Sequence, residues 1–216
     1  LMNDVVETEN FSSLNVFTPT VTWPTIGTSG SPFTGKIYGN NHAVSGIYVN
    51  SASGYAGLIN YAHGALIRDL GLIESKIQGV NVGGICGSGR ITTFLNCYNG
   101  AEVIGTCAGG ITSGYQINGN STVTQCRNYG NITATSMAGG IIGELWFTTV
   151  QQCYNEGVIT SDLKAGGISG NAGYVSIYNS YNTGKVIGQI AGGILGTKET
   201  SGARYYCYNI HKSGHR

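Results

Sequence analysis

The hydrophobic positions of the chain occur in short clusters that are separated by glycine and asparagine. Clusters such as 91–98, 123–126 and 175–181 are rich in β-branched and aromatic residues. No stretch of about 10 to 12 residues keeps the 3.6-residue period of an amphipathic helix. Short clusters bounded by Gly and Asn are typical of strands joined by tight turns. The pattern therefore predicts an all-β protein with many short strands and argues against helical repeats.

The first recurring motif is a Gly-Gly-Ile string. Its copies read VGGICG, AGGITS, AGGIIG, AGGISG and AGGILG, and their first glycines are Gly83, Gly109, Gly139, Gly166 and Gly192. The steps between these glycines are 26, 30, 27 and 26 residues, and a degenerate copy, YAGLIN, places Gly57 another 26 residues earlier. Such self-similarity is the signature of a repeat architecture.

A second motif interleaves with the first at the same period. Its copies read NCYN, QCRN, QCYN, NSYN and YCYN, and their second positions are Cys97, Cys126, Cys153, Ser180 and Cys207, in steps of 29, 27, 27 and 27 residues. A propeller blade needs about 40 residues or more, whereas this period suits one turn of a parallel β-helix. We predict a single-domain β-helix of about six coils over 36–210, after an N-terminal segment and cap (1–35) and before a C-terminal tail (211–216).

Stacked coils place equivalent residues one strand spacing apart, about 4.8 Å. Because side chains alternate along a strand, we expect the cysteine row and an asparagine row to point inward and the residues between them outward. The asparagine row is Asn99, Asn128, Asn155, Asn182 and Asn209, and the outward row is Tyr98, Arg127, Tyr154, Tyr181 and Tyr208. The asparagines can hydrogen-bond from coil to coil. The outward row either binds sugar rings or a protein partner, or it only stabilises its own sheet.

Composition agrees with stacking. The 216 residues include 36 glycines, which allow close contact between coils, and only 10% are charged, because like charges would stack on each other. The formal net charge of +1 gives no basic footprint, so we expect no nucleic-acid partner. No run of 18 apolar residues is present, so we expect no membrane span in this sequence.

The six cysteines do not form a zinc pattern, because no CxxC pair occurs. Neighbouring cysteines in the row lie within disulfide range, but in-register parallel neighbours seldom have the required Cβ geometry. We therefore favour a buried row of free thiols over disulfides. Cys86 and Cys107 are the better pair for a bridge, although their registers differ by five residues, and the sequence leaves that question open.

The charged residues do not suggest a catalytic centre. Acidic residues are scattered, and only Asp69, Glu74 and Glu102 could approach one another on neighbouring coils. A polysaccharide-acting β-helix needs several carboxylates in one groove. The histidines lack metal-ligand spacing, and His42 suits a structural hydrogen bond. We expect no catalytic residues, no metal and no cofactor.

Several segments resemble the GLUG-motif β-solenoid regions of exported bacterial proteins, many of them Gram-positive. The residues that carry the resemblance are Trp23-Pro24, Pro32-Phe33-Thr34-Gly35, Gly39-Asn40-Asn41-His42, 44–49, Gly57-Leu58 and 67–72, followed by the later GGI and CYN copies. Such regions include the non-catalytic parts of immunoglobulin A protease-like proteins. The resemblance implies a right-handed parallel β-helix at the bacterial cell surface or outside the cell. The HExxH motif of the protease members is absent from this sequence, so no peptidase activity carries over.

These observations predict a non-enzymatic, extracellular structural or adhesive module of a bacterial surface protein, with a host glycan or host protein as its partner. One alternative is a filament subunit that stacks on copies of itself, because the last coil around Gly192 and Gly196 carries no charge that would block stacking. The other alternative is a polysaccharide-acting β-helix enzyme.

Overall fold

The computed structural model describes residues 1–12, 16–24, 26–52, 54–114, 120–173, 176–199, 203–205, 207–209 and 214–215. These residues wind into a parallel β-solenoid of about six turns. Asn128, Asn155 and Asn182 are register partners on successive coils, each 27 residues from the next. The predicted fold class and period are therefore confirmed. Of the predicted tail, 211–216, all but 214–215 lie outside the described residues.

The first sheet has 13 strands and contains two rows on either side of a corner. Its first row consists of Lys36–Ser45, Leu66–Ile73, Thr93–Leu95, Ser121–Thr124, Thr148–Gln151, Ser176–Tyr178 and Ala203–Tyr205, with Val5–Val6 at the edge. Its second row consists of Tyr98–Asn99, Arg127–Asn128, Tyr154–Asn155, Tyr181–Asn182 and Tyr208–Asn209. The two long strands of the first coils span both rows, since Leu66–Ile73 pairs with Thr93–Leu95 and with Tyr98–Asn99.

The other faces of the solenoid are a second sheet of 11 strands and a third sheet in two pieces. The second sheet consists of Tyr48–Asn50, Tyr55–Ala56, Lys76–Gln78, Asn81–Gly83, Glu102–Gly109, Ile132–Gly139, Ile159–Ser161, Lys164–Gly166, Val186–Gly188, Ile190–Gly192 and Gly214–His215. The third consists of Ile59–His63 with Cys86–Arg90, and of Ile142–Trp146, Ser169–Gly173 and Leu195–Lys198. Single parallel bridges at Thr112 join its two pieces. A short 3-10 helix, Thr8–Asn10, is the one helical element among the described residues.

The core consists of apolar side chains stacked from coil to coil. Each stack takes one inward position of the repeat, and its members are fully or almost fully buried. The first sheet contributes Ile67, Phe94, Val123, Val150 and Ile177; the second contributes Ile77, Val103, Ile132, Ile159 and Val186; the GGI corner contributes Ile85, Ile111, Ile141, Ile168 and Ile194. The alternating apolar positions of the sequence thus form apolar stacks that run from coil to coil, and their burial drives folding.

The N-terminal segment lies against the first coil. Its strand Val5–Val6 pairs with Val44 and Ser45, which extends the first sheet by one strand. The buried Asn10 donates from Nδ2 to the Gly46 carbonyl at 2.8 Å. Trp23 donates from Nε1 to the Leu58 carbonyl at 3.2 Å. The segment therefore covers backbone groups that an open solenoid end would leave unpaired.

The motif glycines are required for close approach between coils. In the described chain, positive φ is confined among glycines to Gly27, Gly46, Gly54, Gly64 and Gly114, so the GGI glycines do not supply left-handed turns. A Cβ at Gly140 would lie 2.2 Å from the Gly167 carbonyl oxygen and 2.5 Å from Cγ of Asn155. The second glycine of the GGI motif thus makes room both for the next coil and for the asparagine row. Each of these corners therefore lies against one asparagine of the row, once per coil.

Candidate functional site

The asparagine row forms a buried hydrogen-bonded ladder. Asn99, Asn128, Asn155 and Asn182 are completely buried. Each donates from Nδ2 to Oδ1 of the next asparagine, at 2.8, 2.7, 2.7 and 2.7 Å, with Asn209 as the last acceptor. Each also donates to the carbonyl two residues ahead in its own coil, at 2.8 to 3.1 Å. The ladder satisfies backbone acceptors at a buried corner, which would otherwise destabilise the fold. Asn209, on the last described coil, is exposed.

The cysteine row runs beside this ladder and makes a similar set of contacts. The thiols of Cys97, Cys126 and Cys153 contact the carbonyl two residues earlier, at 3.3 to 3.5 Å. The sulfur of Cys153 accepts from the Cys126 backbone N–H at 3.4 Å, and the Ser180 hydroxyl accepts from the Cys153 N–H at 3.1 Å. A small side chain that both donates and accepts is therefore needed here, which explains why Ser180 stands in a cysteine row.

All six cysteines are free thiols, including Cys86 and Cys107. Five are buried, and Cys207 is half-buried. Burial raises the pKa of the Cys86 thiol to about 12 and raises the pKa of the Cys107 thiol as well. The pKa of Cys97 is also raised, by its hydrogen bond with Cys126 and by burial. A nucleophilic cysteine needs the opposite shift, because the thiolate is the reactive form.

The outward row forms a stack of aromatic rings. The ring centroids of Tyr154 and Tyr181 are 5.0 Å apart, those of Tyr181 and Tyr208 are 5.3 Å apart, and both pairs are parallel to within 4°. The guanidinium carbon of Arg127 lies 5.7 Å from the centroid of the Tyr154 ring. Tyr98 begins the row, and its ring covers Gly71, where a Cβ would lie 2.1 Å from Cζ of Tyr98.

This stacking limits what the outward row can bind. Each face of the Tyr154 and Tyr181 rings is turned toward a neighbour in the row, so these faces are not open to a sugar ring. Sugar stacking requires an open aromatic face, and what the row offers to solvent is ring edges and hydroxyl groups. The Tyr154 hydroxyl is hydrogen-bonded to that of Tyr129 at 2.8 Å. Burial raises the pKa of Tyr154 to about 12, so this hydroxyl is protonated at neutral pH.

A groove of about 580 Å³ runs beside the outward row, at the corner between the two rows of the first sheet. Its lining residues are Arg68, Asp69, Leu95, Asn96, Gln125, Arg127, Gln152 and Tyr154. They come from several successive coils, so the groove crosses the strands and follows the solenoid axis.

A row of amide and carboxylate side chains stands at this corner, one residue before the cysteine row. Its members all have positive φ, between 46° and 55°, and are Asp69, Asn96, Gln125, Gln152 and Asn179. We call them the corner row. Asn and Asp tolerate this left-handed conformation, whereas it is uncommon for glutamine. The backbone N–H groups of Asn96, Gln125 and Gln152 still donate to the next coil, at 2.9 to 3.0 Å. The bend therefore turns these side chains outward and keeps the backbone hydrogen bonds between coils.

At the N-terminal end of the corner row, the side chains are hydrogen-bonded to one another and to their neighbours. Asp69 accepts from Nδ2 of Asn96 at 2.8 Å and from Nε of Arg68 at 2.6 Å. These two donors, the Asn96 amide first, lower the pKa of Asp69. Asn96 also donates to Oδ1 of Asn41 at 3.2 Å. Asp69 and Arg68 therefore neutralise each other, and Asp69 is held as a carboxylate.

Glu74 and Glu102, the two other acidic residues named from the sequence, do not line this groove, and neither do Glu144 and Glu199. Glu102 belongs to the second sheet and pairs with Lys76 at 3.1 Å. On the third sheet, Asn171 donates to Glu144 at 3.2 Å and to Glu199 at 2.9 Å. Donors from Lys164 and Asn171 lower the pKa of Glu199. Within the described part of the chain, no group of three or more His, Cys, Asp or Glu side chains could hold a metal ion.

The structure adds a contact for His42 and shows the corner row, which the sequence analysis did not predict. Nδ1 of His42 lies 3.1 Å from Oδ1 of Asp4. The sequence does contain a signal for the corner row: an amide residue stands first in each of the motif strings NCYN, QCRN, QCYN and NSYN. The fifth copy, YCYN, has Tyr206 there, which falls outside the described residues.

Comparison with known proteins shows the fold. No family model and no curated protein matches the chain. Among solved structures, it is similar to a crystal structure described as "a putative immunoglobulin A1 protease from Bacteroides ovatus", with a TM-score of 0.69 and 21% identity over 96% of this chain. The match spans 66% of that chain, which is less than two thirds of its length. At this identity the likeness extends to the β-solenoid architecture alone. None of the described helices is long and apolar enough to cross a membrane.

Proposed function

We propose that this chain is a non-catalytic β-solenoid module of an exported bacterial protein, which holds a polar groove rigidly in place for an extracellular partner. The observation that carries the proposal is the placement of the groove beside two continuous side-chain ladders. The asparagine ladder fixes the corner from inside, and the stacked tyrosines fix it from outside. A site supported in this way is preorganised, which lowers the entropic cost of binding.

The chemistry of the groove supports binding over catalysis. Its one carboxylate among the lining residues is Asp69, whose pKa is lowered by Asn96 and Arg68. A general acid in glycoside hydrolysis needs a raised pKa and a second carboxylate across the scissile bond. The thiols nearest the corner are buried beneath it and have raised pKa values. Groups with these properties can position a ligand but are poor proton donors and nucleophiles at neutral pH.

The proposed location rests on the resemblance to GLUG-motif regions and on the solenoid likeness to the Bacteroides protein. In such regions the solenoid serves as a stalk, adhesin or spacer beside other domains. A rod of stacked coils suits this role, because each coil contacts only its neighbours and the length grows with the number of repeats.

The proposal is tested by separating binding from turnover. The purified chain is incubated with panels of acidic and neutral polysaccharides and with unfolded proteins, and new reducing ends and new amino termini are counted. We expect neither to increase, while a glycan array and a host-protein array show retention of the chain. Turnover that disappears in Asp69→Asn would contradict a non-catalytic module. Absence of retention on both arrays would contradict the binding role.

A further inference from the structure

We propose that the groove along the corner row binds an extended acidic glycan, a chain of sugar residues bearing carboxylates, that lies parallel to the solenoid axis. This inference rests on the proposed function and names the chemical class of its partner. The corner row supplies hydrogen bonds to hydroxyl groups, and Arg127 supplies the positive charge for a carboxylate.

The spacing of the polar groups favours a sugar chain. Equivalent side chains recur once per coil, and the coil spacing is visible in the ring separations of 5.0 and 5.3 Å along the tyrosine row. One pyranose residue advances a glycan by a closely similar distance, so each sugar can meet one amide. An extended peptide advances about 3.3 Å per residue, so its polar groups fall out of step with the coils.

Two amides of the corner row are free to bind such hydroxyls. Gln125 and Gln152 are exposed, and neither side-chain amide makes a hydrogen bond within the described chain. Each amide can both donate and accept, which matches a sugar hydroxyl. Glycine would adopt the left-handed corner with less strain than glutamine does. Glutamine at two successive corners therefore places a polar side chain in the groove at a conformational cost.

The charge of the groove selects an anionic chain. Arg68 is paired with Asp69, whereas Arg127 takes part in none of the four ion pairs among the described residues. Its neighbours are tyrosines, and a hydrogen bond to Tyr129 raises the pKa of the guanidinium. The lining residues thus carry two arginines and one aspartate. A guanidinium fixed over a ring is well placed to bind a carboxylate with two N–H groups.

The experiment is a calorimetric titration of the chain with polygalacturonate in the presence of a chelator. Two matched probes accompany it: fully methyl-esterified polygalacturonate, which has the same chain without charge, and poly-L-glutamate, which has the charge on a peptide chain. We expect polygalacturonate to bind at least about tenfold more tightly than either probe. Added salt should weaken the binding, because it screens the Arg127 charge.

Two variants are designed to remove the binding groups and to keep the backbone conformation of the corner. Arg127→Tyr continues the tyrosine stack and should weaken polygalacturonate binding about tenfold, since a charged hydrogen bond is lost. Gln125→Gly combined with Gln152→Gly suits the left-handed corner and should weaken binding to a similar extent. The matched controls are Ile91→Gly, at an exposed left-handed position outside the groove, and Lys185→Gln, an exposed cation at another corner. Both controls should bind as the parent chain does.

The outcomes distinguish the two proposals. Equal binding of polygalacturonate and poly-L-glutamate, or unchanged binding in the groove variants, overturns the glycan assignment and leaves the non-catalytic module in place. Absence of binding to polygalacturonate overturns the glycan assignment as well. Cleavage of polygalacturonate supports the groove as an acidic-glycan site and overturns the non-catalytic role.

Discussion

At the scale of single residues, the buried polar side chains are structural. Asn155 accepts from Asn128, donates to Asn182 and donates to the Gly157 carbonyl. Replacement by alanine leaves these buried partners unsatisfied, and we expect Asn155→Ala to lower the free energy of unfolding by about 2 to 4 kcal/mol. Chemical denaturation measures this directly. The control is Asn209→Ala at the exposed end of the ladder, which removes one ladder contact, the acceptor of Asn182, and should cost about 1 kcal/mol. Equal costs at both positions would contradict the ladder's role.

The thiols make a second prediction at this scale. Because burial and hydrogen bonding raise the pKa values of Cys97 and Cys126, little thiolate is present at pH 8 and reagents have no access. Alkylation of the native chain with iodoacetamide, followed by mass mapping, should modify the half-buried Cys207 first. The other five cysteines should react only after unfolding. Rapid modification of Cys126 in the native chain would show that the row is accessible.

At the scale of the elements, the tyrosine stack joins neighbouring strands. Tyr181 contacts rings on both sides, so Tyr181→Ala removes two stacking contacts. We expect a loss of about 1 to 3 kcal/mol in the free energy of unfolding, at about 0.5 to 1.5 kcal/mol for each pair. Tyr154→Phe keeps its ring stacks and loses the hydroxyl contacts with Tyr129 and Arg127, so it should cost about 1 kcal/mol. A Tyr181→Ala variant as stable as Tyr154→Phe would refute a structural stack.

The element scale also shows how much the sequence could predict. Two motifs at one period were sufficient to predict a parallel β-helix, because each coil buries side chains at the same positions and the sequence therefore repeats once per coil. The occupied ring faces of Tyr154 and Tyr181 could not be predicted, because alternation gives the side of the sheet and not the rotamer. The contact between Gly140 and Asn155 could not be predicted either, since it depends on how two corners of one coil meet. Prediction of the corner row would have required the positive φ angles of Gln125 and Gln152, which the sequence does not give.

At the scale of the whole molecule, ionised carboxylates link stability to pH. The pKa values of Asp69 and Glu199 are lowered in the folded chain by the donors that hold them. A lowered folded pKa contributes stability that is present above the unfolded pKa, about 4, and is lost as pH falls through the folded value. Stability should therefore be flat with respect to these groups at neutral pH and should fall below about pH 4. Asp69→Asn should make that fall shallower, whereas Glu156→Gln, which has no described ion pair, serves as the control.

We propose that the molecule as a whole separates stability from binding: the ladders hold the coils together, and the corner row beside them binds the partner. Thermal unfolding with and without polygalacturonate tests this separation in one measurement, because a ligand that binds only the folded chain raises the midpoint. For the chain with Gln125→Gly and Gln152→Gly, we predict an unliganded midpoint equal to or above that of the parent chain, and a ligand-induced rise that is largely lost. A lowered unliganded midpoint together with an undiminished rise would contradict the account.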